Sequence, residues 1–273
     1  MTGPIFICAV LAIMGYFVSG YQFGQFVSTH LEYAIVDGAF WALLLTPILT
    51  MRSFAEERKT KTDQLLYSLP ITTTQVVLGK YLALVAILAI PTAVLCVLPP
   101  VISFYASNGI NFAICYGSIL AFFLLGCAVI AISMFISSLF ESQVICTIVN
   151  LAVLLGLYFA ARVSIPESAV FSLFVFVVIA LILAYVLYSA TKNYIIGTVV
   201  GLIIIIGAAV VYFTNVSLLT GLGADIVSSL FIYQPIVNFT TGVFDISCLV
   251  YYLSAAALFV FVTVQSFESR RWN

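Results

Sequence analysis

Side chains that could perform acid–base or nucleophilic chemistry are scarce in this sequence. His30 is the single histidine, so a histidine-based metal site or a base-assisted nucleophile has one candidate, and it lies in a loop. The six cysteines, Cys8, Cys96, Cys115, Cys127, Cys146 and Cys248, show no CxxC or paired spacing. Most sit in apolar runs, where a thiol behaves as a small hydrophobe. No HExxH, GxSxG or paired-carboxylate helix occurs. The stretch VVLGKY at 76–81 falls short of a phosphate loop, because GxxxxGK[ST] would need Gly at 74 and Ser or Thr at 81, where the chain has Thr74 and Tyr81. The sequence thus offers no catalytic residue, no metal ligand set and no cofactor site.

What it does offer is one dense polar island, RSFAEERKTKTDQLLYSLPITTTQVVLGK at 52–80, with eight of the chain's nineteen charged side chains. Everything around it reads as membrane. The chain is 64% hydrophobic and 7% charged, with a mean hydropathy of +1.26, whereas globular proteins are about 45–50% apolar and about 25% charged. The fold class expected is all-α, a polytopic helical membrane protein. The net charge of −1 gives no basic field for nucleic acid.

Crossing roughly 30 Å of hydrocarbon takes about 20 apolar residues, and eight runs qualify: about 3–20, 35–51, 76–102, 112–140, 144–161, 169–190, 194–213 and 246–267. The first has neither the basic flank nor the small-residue cleavage site of a signal peptide and is kept as a span. Residues 214–245, broken by Gly221, Gly223 and Pro235, read as short extracellular re-entrant or interfacial helices. Six spans plus re-entrant helices is the alternative. If the island is cytoplasmic and the spans alternate, Arg52, Arg58, Lys59, Lys61, Lys80, Lys192, Arg270 and Arg271 are inside and only Arg162 is outside. That bias fits the positive-inside rule and puts both termini in the cytoplasm. Tyr21, Tyr33 and Trp41 are among the aromatics expected as interfacial anchors.

Ion-coupled carriers keep Asp, Glu, His or Lys at mid-membrane, and the middles of the eight spans lack them; Asp37 and Lys80 lie near span ends. The island itself has internal order. Thr62 can cap a short helix in which Leu65, Leu66 and Leu69 share one face, with Asp63 and Tyr67 opposite and Pro70 as its stop. Thr72 and Gln75 then have capping-box spacing before the third span. An amphipathic helix lying across the inner face and tied to a span at each end can transmit a push.

The stretch EERKTKTDQLLYSLPITTTQVVLGKYLAL at 56–84 resembles the cytoplasmic loop between the second and third spans of type-2 ABC exporter permeases, a family whose pattern there is an acidic–basic cluster, a Thr, a Leu pair, Leu/Ala-x-Pro and a Gly-Lys entering the next helix. GVFDISCLVYYLSAAALFVFVTVQSFESRRWN at 242–273 resembles the last span and basic-Trp tail of the gliding-motility-type branch. Together the two stretches cover about 60 residues, and the rest of the chain agrees with the family in hydropathy. The resemblance implies that Thr62 to Ser68, within a coupling loop at 52–75, is a helix that seats in a groove of a separate ATPase, with Glu56, Glu57, Arg58, Lys59 and Lys61 at its rim. It implies one permease domain over 1–273, working as a homo- or heterodimer of permeases with two copies of the ATPase. ATP and magnesium would be bound by that partner, and the location would be the bacterial plasma membrane. Pro47 and Pro91 would serve as flex points of the second and third spans. Family members begin with a basic amphipathic interfacial helix, whereas this sequence opens MTGPIF, so either that helix is absent here or the start is truncated. The alternative function is an ATP-independent secondary transporter or channel.

Overall fold

The computed structural model describes residues 2–23, 31–51, 72–104, 111–140, 142–160, 166, 168–191, 220–228, 231–239, 242 and 245–271. Among these, all regular structure is helical. The helices are α1 (Thr2–Phe23), α2 (Leu31–Leu43, resuming at 46–51), α3 (Thr73–Leu95), α4 (Leu98–Ser103), α5 (Phe112–Leu139), α6 (Gln143–Ala160), α7 (Ala169–Thr191), α8 (Leu222–Ser228), α9 (Gln234–Asn238) and α10 (Ile246–Arg271). Five stretches are long and apolar enough to span a membrane: Thr2–Tyr21, Leu31–Met51, Thr73–Ser103, Phe112–Leu139 and Ile246–Glu268. Gln143–Phe159 and Ala169–Ala180 are shorter apolar helices at the expected fifth and sixth spans. The expected seventh span, 194–213, lies outside the described residues. The chain is a multi-pass membrane protein.

Two compact units make up the chain, residues 1–159 with 232–273, and residues 160–231. In the first, α5 is the central helix and packs against α2, α3, α9 and α10. Its side chains from Ala121 to Met134 are buried almost without a break, so it has no lipid-facing side in its middle. The helices around it each bury one stripe. On α1 that stripe is Phe6, Val10, Met14 and Val18; on α3 it is Val77, Leu84, Leu88 and Leu95; on α10 it is Cys248, Tyr252, Ala256, Val260 and Val264. Spacings of four and seven residues place each set on one helix face. Because the opposite faces are equally apolar, packing shape and small residues select the inner one. Gly126 of α5 is such a point: a Cβ there would collide with Leu88 of α3 and press on Leu43 of α2.

In the second unit α7 packs against α8. The backbone N–H of Gly223 donates to Ser172 Oγ at 2.9 Å, and Gly221, at φ +91°, makes the left-handed turn into α8. Of the breaks expected in 214–245, Gly221 precedes the start of α8 and Pro235 sits in the first turn of α9, whereas Gly223 lies within α8.

Candidate functional site

The island residues expected to dock a partner, Glu56, Glu57, Arg58, Lys59, Lys61, Thr62, Asp63, Leu65, Leu66, Leu69 and Pro70, lie outside the described residues. Its two anchors are described. On the far side, Thr72 and Gln75 form the expected capping box: Gln75 N donates to Thr72 Oγ1 at 3.3 Å and Thr72 N donates to Gln75 Oε1 at 3.2 Å. One residue on, Thr73 Oγ1 donates to Glu268 Oε1 at 2.9 Å. The first turn of α3 is therefore fixed to the end of α10, nearly two hundred residues away in sequence. That contact places the end of α10 beside the start of α3.

On the near side, the chain reaches the island through a broken helix. Pro47 has no N–H for the Leu43 carbonyl, and its ring crowds that oxygen. The chain responds by tightening, with Leu45 N bonding to Ala42 O at 3.3 Å and Ile48 N to Leu45 O at 3.1 Å. Thr46 Oγ1 supplies what Pro47 cannot, donating to the Leu43 carbonyl at 2.7 Å. Below the break, Thr50 Oγ1 donates to Thr46 O at 3.0 Å. Pro91 behaves differently, since α3 runs through it to Leu95 without interruption. The break in the third span comes instead at Cys96 and Val97, ahead of Pro99 and Pro100. Pro100 cannot donate to the Cys96 carbonyl, and Tyr116 of α5 does so through its hydroxyl at 3.3 Å.

The segment 46–51 is also held sideways. Asn150, fully buried in α6, donates from Nδ2 to Thr50 Oγ1 at 3.4 Å and accepts from Ser133 Oγ of α5 at 3.1 Å. One turn closer to the start of α6, the Thr147 hydroxyl lies 3.0 Å from Met51 Sδ. Three helices thus meet at one buried amide. Sequence reasoning missed Asn150 because it searched the spans for ionisable groups; an amide in the middle of VICTIVNLAVLL was the available signal.

The opposite end of this unit is tied by aromatic and carboxyl groups. The Tyr21 hydroxyl donates to Asp37, as fits two residues near neighbouring span ends. Glu32 lies ahead of the second span expected from about residue 35. It belongs to the first turn of α2 rather than to the preceding loop, it is buried, and Cys115 Sγ of α5 lies 3.9 Å from its Oε2. With α2 beginning at Leu31, Trp41 falls in the middle of the stretch Leu31–Met51, half exposed, rather than near its end. Phe40 stacks on Tyr158 of α6 with ring centroids 3.4 Å apart, and Tyr233 meets both rings edge-on. Tyr252 of α10 donates its buried hydroxyl to the Ile232 carbonyl at 2.9 Å, so the chain around α9 is seated on α10. Among the described residues, no group of three or more His, Cys, Asp and Glu could hold a metal ion. Several polar groups of this unit, Thr73, Tyr116, Ser133 and Asn150 among them, serve as ties between helices.

Residues 34–169, close to half of the 273-residue chain, match the family model described as ABC-2 family transporter protein. The match runs from α2 through the island and α5 to the start of α7, so it contains the Pro47 break and Asn150. No curated protein and no solved structure matches the chain.

Proposed function

We propose, from the match of residues 34–169 to the ABC-2 family transporter model, that this chain is an ABC-2 type permease, the transmembrane subunit of an ATP-driven exporter of the gliding-motility-type branch. A permease of this family is a transport component that works with an ABC ATPase in a membrane. On our reading, the single permease domain of 1–273 supplies half of the substrate path in a homo- or heterodimer within a bacterial plasma membrane, with eight spans and both termini in the cytoplasm. Two separately encoded ATPase subunits bind the ATP and magnesium. The loop 52–75 couples to them through the helix Thr62 to Ser68, whose Leu65, Leu66 and Leu69 face enters the ATPase groove. ATP binding draws the coupling helices together and tilts the second and third spans.

The observation that carries this reading is the contrast between the loop's two anchors. One is a Pro-broken segment, 46–51, and the other a capped first turn fixed to Glu268. A loop held firmly at one end and jointed at the other delivers displacement mainly into the jointed span. The test is purification of the tagged chain from native membrane in mild detergent. An ABC ATPase should co-purify with the native chain and be lost from Leu65→Asp/Leu66→Asp, with membrane insertion unchanged. Equal recovery from that variant refutes the docking helix, and absence of the ATPase from the native preparation refutes the function.

A further inference from the structure

The Pro47 break raises a mechanical difficulty. A push arriving at residue 52 enters a helical segment of six residues, 46–51, above which the regular hydrogen-bond ladder is interrupted. If that joint were free, the push would bend the chain at residues 44–46 and go no further. The lateral ties below the break supply another route. Thr50 and Met51 are held to Asn150 and Thr147, which sit on one face of α6 three residues apart. Asn150 is held in turn to Ser133 of α5. Thr50 and Asn150 are both fully buried, so water does not compete for these bonds. An amide is also an unfavourable choice for an apolar interior unless its hydrogen bonds are used.

We infer that Asn150 is a positioning residue of the transport cycle: it clamps segment 46–51 to α6 and α5, so that displacement of the loop 52–71 moves those helices instead of being absorbed at Pro47. The inference rests on the ATP-driven reading and extends it to a residue outside the loop. The far end of α6 carries Tyr158, stacked on Phe40 above the break. Both halves of α2 are therefore attached to α6, which acts as a splint across the joint.

The test uses the full chain with its ATPase in liposomes, all six native cysteines replaced, and a bimane fluorophore on Phe159→Cys, an exposed position at the far end of α6. Trapping with ATP and orthovanadate should shift the bimane emission. In Asn150→Leu, which keeps the volume and removes both hydrogen bonds, the ATPase should still bind and hydrolyse ATP while the shift falls at least roughly 3-fold, the loss expected from a single interhelical bond in a membrane. Joining Met51→Cys to Thr147→Cys with a one-carbon bis-methanethiosulfonate should restore the shift in Asn150→Leu and leave it unchanged when Asn150 is present. A full shift in Asn150→Leu, or loss of the shift when the cross-link is made in the presence of Asn150, overturns the clamp. Absence of the ATPase from the native complex removes the function reading and this inference with it.

Discussion

Replacing Gly223 by Ala tests how closely α7 and α8 approach. A Cβ at Gly223 would lie 2.5 Å from the Cα of Ser172, against an optimal carbon–carbon separation of about 3.5–4.0 Å. The obstacle is backbone, so no rotamer change relieves it and the helices must separate by about 1 Å. Overpacking of this kind costs about 1–3 kcal/mol. The 2.9 Å bond from Gly223 N to Ser172 Oγ is lost as the helices part, at about 0.5–1.5 kcal/mol. Against this, Ala gains about 1 kcal/mol over Gly in helix propensity. The net is a destabilisation of about 1–3 kcal/mol, confined to the 160–231 unit. Gly126→Ala provides the contrast. Its new Cβ meets the terminal methyl of Leu88, which can rotate away, so the net there is about 0–1 kcal/mol. Hydrogen exchange of residues 222–228 in detergent should accelerate by about tenfold in Gly223→Ala, with little change in Gly126→Ala. Exchange in Gly223→Ala as slow as in the native chain would refute the close approach.

Two further substitutions probe the ties that hold the central unit. Thr72→Ala removes the side-chain half of the capping box and should weaken the start of α3 by about 1 kcal/mol, seen as faster exchange at Thr74 to Val76 and faster proteolysis next to the loop. Tyr252→Phe strips the hydroxyl from a buried bond to the Ile232 carbonyl and should lower stability by about 0.6–1.7 kcal/mol in thermal melts of the purified protein, with segment 231–239 opening first.

Legibility in the sequence followed the physics of each element. The limits of α5 and α6 agree with expectation to within a residue or two, because each is a long apolar run closed by polar residues, Asn111 on one side and Glu141 to Gln143 on the other. The capping box was readable because Thr72 and Gln75 are local to one turn. The second span begins earlier than the expected 35, its start hidden by the polarity of Glu32, whose partner Cys115 comes from a helix 83 residues away. The Asn150 junction was hidden for the same reason, since Thr50 is 100 residues distant. Which face of each helix turns inward was equally hard to read, as lipid and protein interior make the same demand on a side chain. For the coupling helix itself, only the flanks at Met51 and Thr72 fall within the described residues.

The turn at Cys96 and Val97 also bears on bilayer thickness. At 1.5 Å per residue the stretch Thr73–Ser103, 31 residues, would extend about 46 Å, half again the roughly 30 Å of hydrocarbon. Its continuous part, the 23 residues of α3, spans about 34 Å and fits that thickness at a tilt of about 30°. The surplus is α4, offset from α3 by a turn whose Cys96 carbonyl is held by the Tyr116 hydroxyl of α5. A thicker bilayer is met by straightening α3 and a thinner one by leaning it further.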